Sequence, residues 1–357
     1  MTQLLADRHV EQGREWAERS HHWLEANLTN LPKRKLRQRN PSPLILCGHG
    51  VSMRIENGAL IIRDGFTHYP QQRVSLRFFR GDLALPPRII LLDGSGTLSF
   101  DVLSWLGEQD VALARVKWTG EVATVAGGSG YAADRRKVDW QLETRDDKRK
   151  RLAYATDLIG RKFANSVETL QTCFPASDLR ERAIAKAHNG QKRLAEHEHS
   201  DLNDVRSVEG ECAVAYFRVW SELPIGWTGT RRHPIPDAWR AFRSRSSLTS
   251  GKVPKNRMAS HPVNAMLNYA YSVRQAQLQI QAVADGYDPT IGIMHNRHQG
   301  SPAFILDQIE PERPRVDAAV LNLIQSRSFS GADFVIRADG VCRLSPQLAR
   351  VVASLVA

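Results

Sequence analysis

The hydrophobic pattern of this chain changes character at a glycine-rich run, Gly-Gly-Ser-Gly, at residues 127–130. Before it, short apolar stretches alternate with turn residues over residues 44–125, as is typical of β-strands. After it, from about residue 134, apolar residues recur at helical spacing almost to the last residue. The sequence therefore predicts an α+β protein, with a small N-terminal β-rich domain at 43–126, a linker at 127–140 and a larger all-α C-terminal domain at 141–357.

The β-rich part contains local turn and helix patterns. Asn57-Gly58 separates two apolar stretches, and this dipeptide is typical of a tight hairpin turn. Asp64-Gly65 follows the second stretch and predicts the end of that strand. Residues 99–107 could form one short helix between strands. None of these residues suggests a catalytic role, so we expect this part to be structural.

Residues 1–42 precede the β-rich part and form an N-terminal extension. Residues 1–30 have apolar side chains at roughly helical spacing and predict a helix, and a basic run follows at 33–39. The basic run fits either a solvated linker or an arm that contacts DNA. The first twenty residues carry too many charges for a signal peptide.

Cysteine usage and hydropathy bound the protein class further. No pair of cysteines has C-x-x-C spacing, which argues against a zinc ribbon or a disulfide scaffold. No apolar run approaches the ~20 residues that span a bilayer. We therefore expect a cytoplasmic protein without a membrane partner. The four cysteines are Cys47, Cys173, Cys212 and Cys342.

Positive charge suggests a polyanionic partner. The chain has 49 Lys and Arg against 38 Asp and Glu, a net charge of +11, and nucleic acid is the first candidate. A basic enzyme without such a partner is the alternative. Residues 226–260 concentrate arginines among aromatic residues, a composition that suits phosphates and unstacked bases, although a solvated loop has the same composition. The arginines of this segment predicted to bind DNA are Arg231, Arg232, Arg243, Arg245 and Arg257.

Glu209 and His295 are candidates for chemistry. Glu209 precedes Cys212 by three residues on the apolar face of a predicted helix, where a carboxylate is costly unless it is paired or bound to a metal. A glutamate in the first helical turn is the alternative. His295 ends an apolar segment before a polar turn, and a neutral imidazole is a common metal ligand. His298 competes with it, and a surface or capping histidine is the alternative.

Asp307 and Glu310 are three residues apart and would share a helix face. Their spacing also fits a capping box with Asp307 as the N-cap, although Pro311 fits that interpretation poorly. Two carboxylates and one histidine form a ligand set that suits Mg²⁺ or Mn²⁺ better than zinc. Such an ion can polarise a phosphodiester and activate a hydroxyl.

Three segments together resemble the CRISPR-associated adaptation integrase family. They are VEGECAVAYF at 208–217, HPVNAMLNYAYS at 261–272, and IGIMH at 291–295 followed by ILDQIEPERPRVD at 305–317. The turn-rich stretches at 48–65 and 94–113 resemble that family's N-terminal domain. The resemblance covers about residues 44–350, so the N-terminal extension exceeds the family's usual start. His261 stands where the family usually has a small acid or its amide.

The resemblance implies site residues. In that family a Glu, a His and a final Asp or Glu bind one divalent metal, and the matching positions here are Glu209, His295 and Glu310. It places Asp307 beside the metal site rather than among its main ligands. It also implies an active-site tyrosine at Tyr271 and a basic residue near the DNA at Arg313.

The resemblance also implies an activity and partners. The expected reaction inserts new spacer DNA into a CRISPR array by transesterification, in which a 3′-hydroxyl attacks a phosphodiester at a repeat boundary. The expected partners are double-stranded DNA, a second copy of the chain in a homodimer formed through the β domains, and the small partner adaptation protein, the "Cas-two" subunit. A related transposon integrase and a non-catalytic DNA-binding scaffold are the alternatives.

Overall fold

The computed structural model describes residues 2–30, 40, 42–65, 74–117, 122–126, 133–196, 201–229, 234–243, 245, 259–295, 301–338 and 340–356. Several sequence-based predictions lie outside these described residues. They are the basic run at 33–39, the linker glycines at 127–130, Arg231, Arg232, Arg257 and His298.

The N-terminal part forms one helix and then a six-stranded sheet, as predicted. The sheet order is β3-β2-β1-β4-β5-β6, in which β4 pairs in parallel with β1 and β5 and the other pairs are antiparallel. The elements of this part are α1 (Thr2–Asn30), β1 (Leu44–Glu56), β2 (Ala59–Arg63), β3 (Ser75–Phe78), β4 (Arg88–Leu98), α2 (Phe100–Glu108), β5 (Ala112–Val116) and β6 (Val122–Ala126).

The turn between β1 and β2 confirms the hairpin predicted from Asn57-Gly58. Both residues have positive φ, 51° at Asn57 and 77° at Gly58. Two consecutive positive φ angles match the right-handed twist of antiparallel strands, and Asn and Gly adopt them at low cost. The predicted short helix is also present, as α2.

The C-terminal part is mostly helical, as predicted. Its helices are α3 (Arg135–Asp146), α4 (Lys148–Cys173), α5 (Asp178–Glu196), α6 (Leu202–Val219), α7 (Pro262–Ala284), α8 (Ala303–Ile309), α9 (Arg313–Ser326) and α10 (Pro346–Leu355). It also contains a small hairpin of β7 (Phe334–Ile336) and β8 (Cys342–Leu344). These strands have three residues each, which is too short for an alternating pattern to appear in the sequence.

The sheet lies between α2 and the C-terminal helices. One face buries Leu60 and Ile62 against Trp105 of α2. The other face contributes Ile45 and Ile90 to the same core as the helices. A buried ion pair between Asp64 at the end of β2 and Arg350 of α10 joins the two parts. The two parts therefore share a core, because only the helices cover the second apolar face of the sheet.

The N-terminal helix packs on the C-terminal part. Trp23 is 1% exposed, and its Nε1–H donates to Asp333 Oδ1 at 2.8 Å. Arg19 forms an ion pair with the other oxygen of Asp333 at 2.7 Å. The helix thereby satisfies a buried carboxylate that would otherwise be costly. Among the helices of the described residues, none is long and apolar enough to cross a membrane.

Candidate active site

Two glutamates from distant parts of the chain converge on one lysine. Lys162 of α4 donates to Glu310 Oε2 at 2.6 Å and also to Glu209 Oε1. Glu209 lies in the middle of α6, because that helix begins at Leu202 behind a capping box formed by Asp201 and Asp204. The alternative of a first-turn glutamate is therefore wrong, and the half-buried Glu209 side chain faces Lys162 instead.

Glu310 is held rigidly at the start of a 3₁₀ turn, Glu310–Glu312, that joins α8 to α9. The residue is 5% exposed, and Asn165 of α4 fixes the turn by donating to the Pro311 carbonyl at 2.7 Å. Arg313 donates to Glu310 Oε1 at 2.9 Å. Burial acts to raise the pKa of Glu310, but the charges of Arg313 and Lys162 outweigh it and hold the pKa below its usual range.

Asp307 positions His295. Its Oδ2 accepts the backbone N–H groups of Ile293 at 2.6 Å and Met294 at 3.1 Å. Its Oδ1 accepts the His295 N–H at 2.9 Å and lies 2.7 Å from His295 Nδ1. The capping-box interpretation of Asp307 is wrong, because Asp307 lies inside α8 and caps the segment before it. The resemblance, which placed Asp307 beside the site, describes its position better.

The donor set can be compared with the needs of a divalent cation. Within the described ranges, no three His, Cys, Asp or Glu side chains are grouped closely enough to hold a metal ion. The carboxylates of Glu209 and Glu310 nevertheless face one cation, the ammonium of Lys162. A His295 Nδ1–H donated to Asp307 leaves the Nε2 lone pair for a ligand, as is usual for metal-binding histidines. The donor chemistry therefore fits Mg²⁺ or Mn²⁺, and the role of these residues as ligands stays a prediction.

Tyr271 lies in the same region, at the centre of a buried polar network. Its hydroxyl donates to Asp317, which also accepts from Tyr216 at 3.0 Å. The guanidinium of Arg313 lies 4.8 Å from the centre of the Tyr271 ring, and that of Arg245 lies 5.4 Å from it. Two cations over an aromatic ring hold it in place. The catalytic role of Tyr271 stays a prediction.

Burial sets the protonation of this network. It raises the pKa of Asp317 to about 6, against the hydrogen bond from Tyr271 and the charge of Arg245, which lower it. It also raises the pKa of Tyr271 well above its usual range, so the phenol keeps its proton at neutral pH. The network therefore offers a neutral hydroxyl next to a carboxyl that titrates slightly below neutral pH.

One cavity of about 720 Å³ is lined by Lys162, Glu209, Tyr271, Glu310 and Asp317, whereas His295 and Asp307 lie outside its lining. Arg243 is exposed at its wall, as expected for a phosphate contact. Arg245 differs from the mobile loop residue that the composition suggested, because its guanidinium donates to Asn264 at 3.0 Å and Asn268 at 3.1 Å. Arg313 is likewise engaged, with Glu310. DNA binding by these three arginines stays a prediction.

Two residues of the site were missed by the sequence reasoning. Lys162 follows Leu158 by four residues and Ala155 by seven, so it lies on the buried face of α4. Asp317 precedes Val320 and Leu321 on the buried face of α9. A charged residue on an apolar helix face was the pattern that singled out Glu209, and it applies equally to both.

The chain belongs to the Cas1 family, because the family model described as "CRISPR associated protein Cas1" matches residues 48–356. It is 26% identical over 329 residues to "CRISPR-associated endonuclease Cas1 1" of Archaeoglobus fulgidus, which covers 88% of this chain and 87% of that protein. It is 31% identical over 207 residues to the "CRISPR-associated exonuclease Cas4/endonuclease Cas1 fusion" of Rhodospirillum rubrum. That match spans 57% of this chain and 32% of the fusion, and a second Rhodospirillum rubrum relative is covered to 40%.

Solved structures share the fold. "Casposase bound to integration product" has a TM-score of 0.69 at 24% identity, covering 88% of this chain and 81% of that one. "TM1797, a CAS1 protein from Thermotoga maritima" has a TM-score of 0.64 at 15% identity, covering 87% and 88%. The family resemblance of the sequence motifs is thus confirmed, and the fold agrees with it.

Proposed function

We propose that this chain is a divalent-metal-dependent DNA endonuclease and integrase of CRISPR adaptation, which inserts new spacer DNA into the array. The observation that carries the proposal is the convergence of Glu209 and Glu310 on a single cation at a cavity with an arginine-rich wall. Paired carboxylates suit a hard divalent ion, and arginines suit phosphates. Membership of the Cas1 family supports the same activity.

In the proposed reaction, the 3′-hydroxyl oxygen of a DNA fragment forms a bond to a phosphorus atom at a repeat boundary. The existing bond from that phosphorus to its own 3′-oxygen breaks. The attacking hydroxyl gives up its proton to water and the departing 3′-oxygen takes up a proton, so one 3′-hydroxyl replaces another and no phosphate is released. Glu209, His295 and Glu310 would hold Mg²⁺ or Mn²⁺, which polarises the phosphate and activates the attacking hydroxyl. The phenol of Tyr271, which donates to Asp317 in this structure, would donate instead to a phosphate oxygen or to the departing 3′-oxygen when DNA is bound. Arg243 at the cavity wall would orient the DNA backbone.

The proposed partners are double-stranded DNA, a Cas2 subunit and a second copy of the chain. A structure called "Cas6-RT-Cas1--Cas2 complex" resembles this fold with a TM-score of 0.62 and 18% identity, covering 91% of this chain and 33% of that chain. For the homodimer, the sheet region exposes Phe100 to 86%, and Leu103 and Leu98 to 39% and 37%. Exposed apolar clusters often mark protein interfaces.

A transposon-type integrase is the second candidate. The likeness to the casposase supports it, since that protein was solved with an integration product. Both functions use the same strand-transfer chemistry, so they differ in the target DNA. Integration into a supercoiled plasmid that carries a CRISPR repeat, compared with a plasmid that carries none, separates the two.

The test of the site is a strand-transfer assay with Mn²⁺ on Glu209→Ala, His295→Ala and Glu310→Gln. We expect each variant to lose activity by orders of magnitude while gel-shift affinity for DNA persists, because ligands of one ion act as a unit. Glu211→Gln is the matched control, since Glu211 lies on α6 but pairs with Lys186 at the surface. Near-full activity in Glu310→Gln, or an equal loss in Glu211→Gln, would contradict the assignment. Absence of strand transfer by the unmodified chain would favour a scaffold instead.

A further inference from the structure

Lys162 contacts two carboxylates of the cavity and has no role in the proposed chemistry so far. Its side chain is 15% exposed, and its ammonium contacts Glu209, whose side chain is 22% exposed, and Glu310, whose side chain is 7% exposed. Glu310 Oε1 already accepts from Arg313. The ammonium therefore supplies the positive charge that lies between the two carboxylates.

The ammonium stays charged in this position. It contacts two carboxylates at once, Glu310 Oε2 at 2.6 Å and Glu209 Oε1, and both contacts favour an ammonium over a neutral amine. Without a positive charge between them, two carboxylates in a poorly solvated site would repel each other and lose their charge-assisted hydrogen bonds. Arg313 pairs with one oxygen of Glu310, and the oxygens that face Glu209 need a further cation, which is Lys162 or an ion from solution.

An ion and the ammonium compete for the same oxygen atoms. The ammonium donates to Glu209 Oε1 and Glu310 Oε2, the atoms that face each other across the site. An ion coordinated by both carboxylates needs these lone pairs, and it repels a second cation at close range. Lys162 has four rotatable side-chain bonds and lines the 720 Å³ cavity, so it has space into which to move.

We propose that Lys162 controls cation entry: its ammonium holds the position between Glu209 and Glu310 until a divalent cation displaces it, and the displaced ammonium then neutralises a DNA phosphate in the same cavity. This inference rests on the proposed function. It makes Lys162 a substitute for the ion, because its ammonium keeps both carboxylates directed at one point. The displaced charge is used again at the phosphate, where negative charge accumulates.

We expect the protein to bind Mn²⁺ more tightly when the positive charge of Lys162 is removed. Displacing the ammonium costs its charge-assisted hydrogen bonds, and one such bond corresponds to roughly 10- to 100-fold in an equilibrium constant. We expect Lys162→Met to bind Mn²⁺ roughly 10- to 100-fold more tightly than the unmodified chain, measured by calorimetry on the full chain without DNA. Lys162→Met should also have a lower Tm without Mn²⁺ and recover it when Mn²⁺ is added. Strand transfer should fall in the same variant.

The matched control is Lys186→Met. Lys186 donates to Glu211 at 2.6 Å on the neighbouring helix α5, and its side chain is 38% exposed. We expect this variant to bind Mn²⁺ as the unmodified chain does. Lys162→Gln removes the charge and keeps a donor, and it gives the same test if Lys162→Met does not fold.

The outcomes separate the inference from the proposed function. Mn²⁺ binding that is lost in Glu310→Gln but is unchanged or weaker in both Lys162 variants overturns the role of Lys162 and leaves the metal site standing. Absence of Mn²⁺ binding in the unmodified chain and in both Lys162 variants overturns the metal site and the inference together. Tighter binding in the Lys162 variants alone supports both.

Discussion

Replacing Asp307 by asparagine tests how the fold holds His295 in the site. Asp307 is completely buried, and its two oxygens together accept three backbone N–H groups and approach the His295 ring nitrogen at 2.7 Å. Asparagine has nearly the same shape but only one oxygen. The NH₂ group that replaces the other oxygen is itself a donor and would face two of the groups that Asp307 now binds. Two of the four contacts to the 293–295 segment would therefore be lost.

The size of the effect follows from these contacts. Hydrogen bonds to a charged acceptor are worth about 1.5–3 kcal/mol each, so the loss of two amounts to about 3–6 kcal/mol. A neutral amide is cheaper to bury than a carboxylate, which offsets part of this cost. We expect Asp307→Asn to lower the free energy of unfolding by about 2–4 kcal/mol. Strand transfer should fall as well, because the imidazole of His295 loses its fixed orientation.

The assay combines urea unfolding with amide hydrogen exchange over residues 291–295. Exchange in that segment should accelerate in Asp307→Asn, since the opened amides lose their acceptor. Asp157→Asn on α4 is the matched control, because the Asp157 side chain is 65% exposed and pairs with a surface arginine. We expect this variant to change the free energy of unfolding by less than about 0.5 kcal/mol. An unfolding free energy of Asp307→Asn equal to that of the control, with unchanged exchange at 293–295, would refute the reasoning.

Two further predictions concern pH and assembly. Burial raises the pKa of Asp317 from 3.8 to about 6. Between these pH values the native protein keeps a proton that the unfolded chain has released. The contribution of Asp317 to the free energy of unfolding should therefore fall by about 3 kcal/mol as pH rises from 4 to 6 and beyond. Urea unfolding of Asp317→Asn at several pH values should lack that decline, and an identical pH profile would contradict it. For the proposed homodimer, Phe100→Lys should shift the full chain towards monomer in light scattering. Val335→Lys in the C-terminal hairpin is the control and should leave the dimer unchanged. An unchanged dimer in Phe100→Lys would place the interface elsewhere.

Local sequence patterns predicted the turns and helix faces that depend on residues close together in the chain. The Asn57-Gly58 turn was correct because two positive φ angles depend on the residues themselves. The helix Pro262–Ala284 is bounded by features of the same local kind, because proline stands in its first turn and Gly286, with φ of 84°, follows its end. The position of Glu209 on an apolar helix face followed from periodicity alone.

The order of the strands and the partners of the charges depended on long-range packing. The pairing of β4 with both β1 and β5 joins segments that no short pattern connects. Composition predicted Arg245 either as a DNA-binding residue or as part of a solvated loop, and it did not show that the guanidinium donates to Asn264 and Asn268. A composition rule describes how many charges a segment has, and it contains no information on which neutral acceptors will surround them.

The sequence by itself determined the two-part fold class and the family, and the family resemblance supplied the predicted metal ligands. Only the tertiary structure decided that Asp307 fixes His295, that Asp317 supports Tyr271, and that Lys162 lies between Glu209 and Glu310. The physical reason is distance along the chain. Helix periodicity shows which face a side chain occupies, but Lys162 is 47 residues from Glu209 and 148 from Glu310, and the packing of α4 against its neighbours alone brings their charges together.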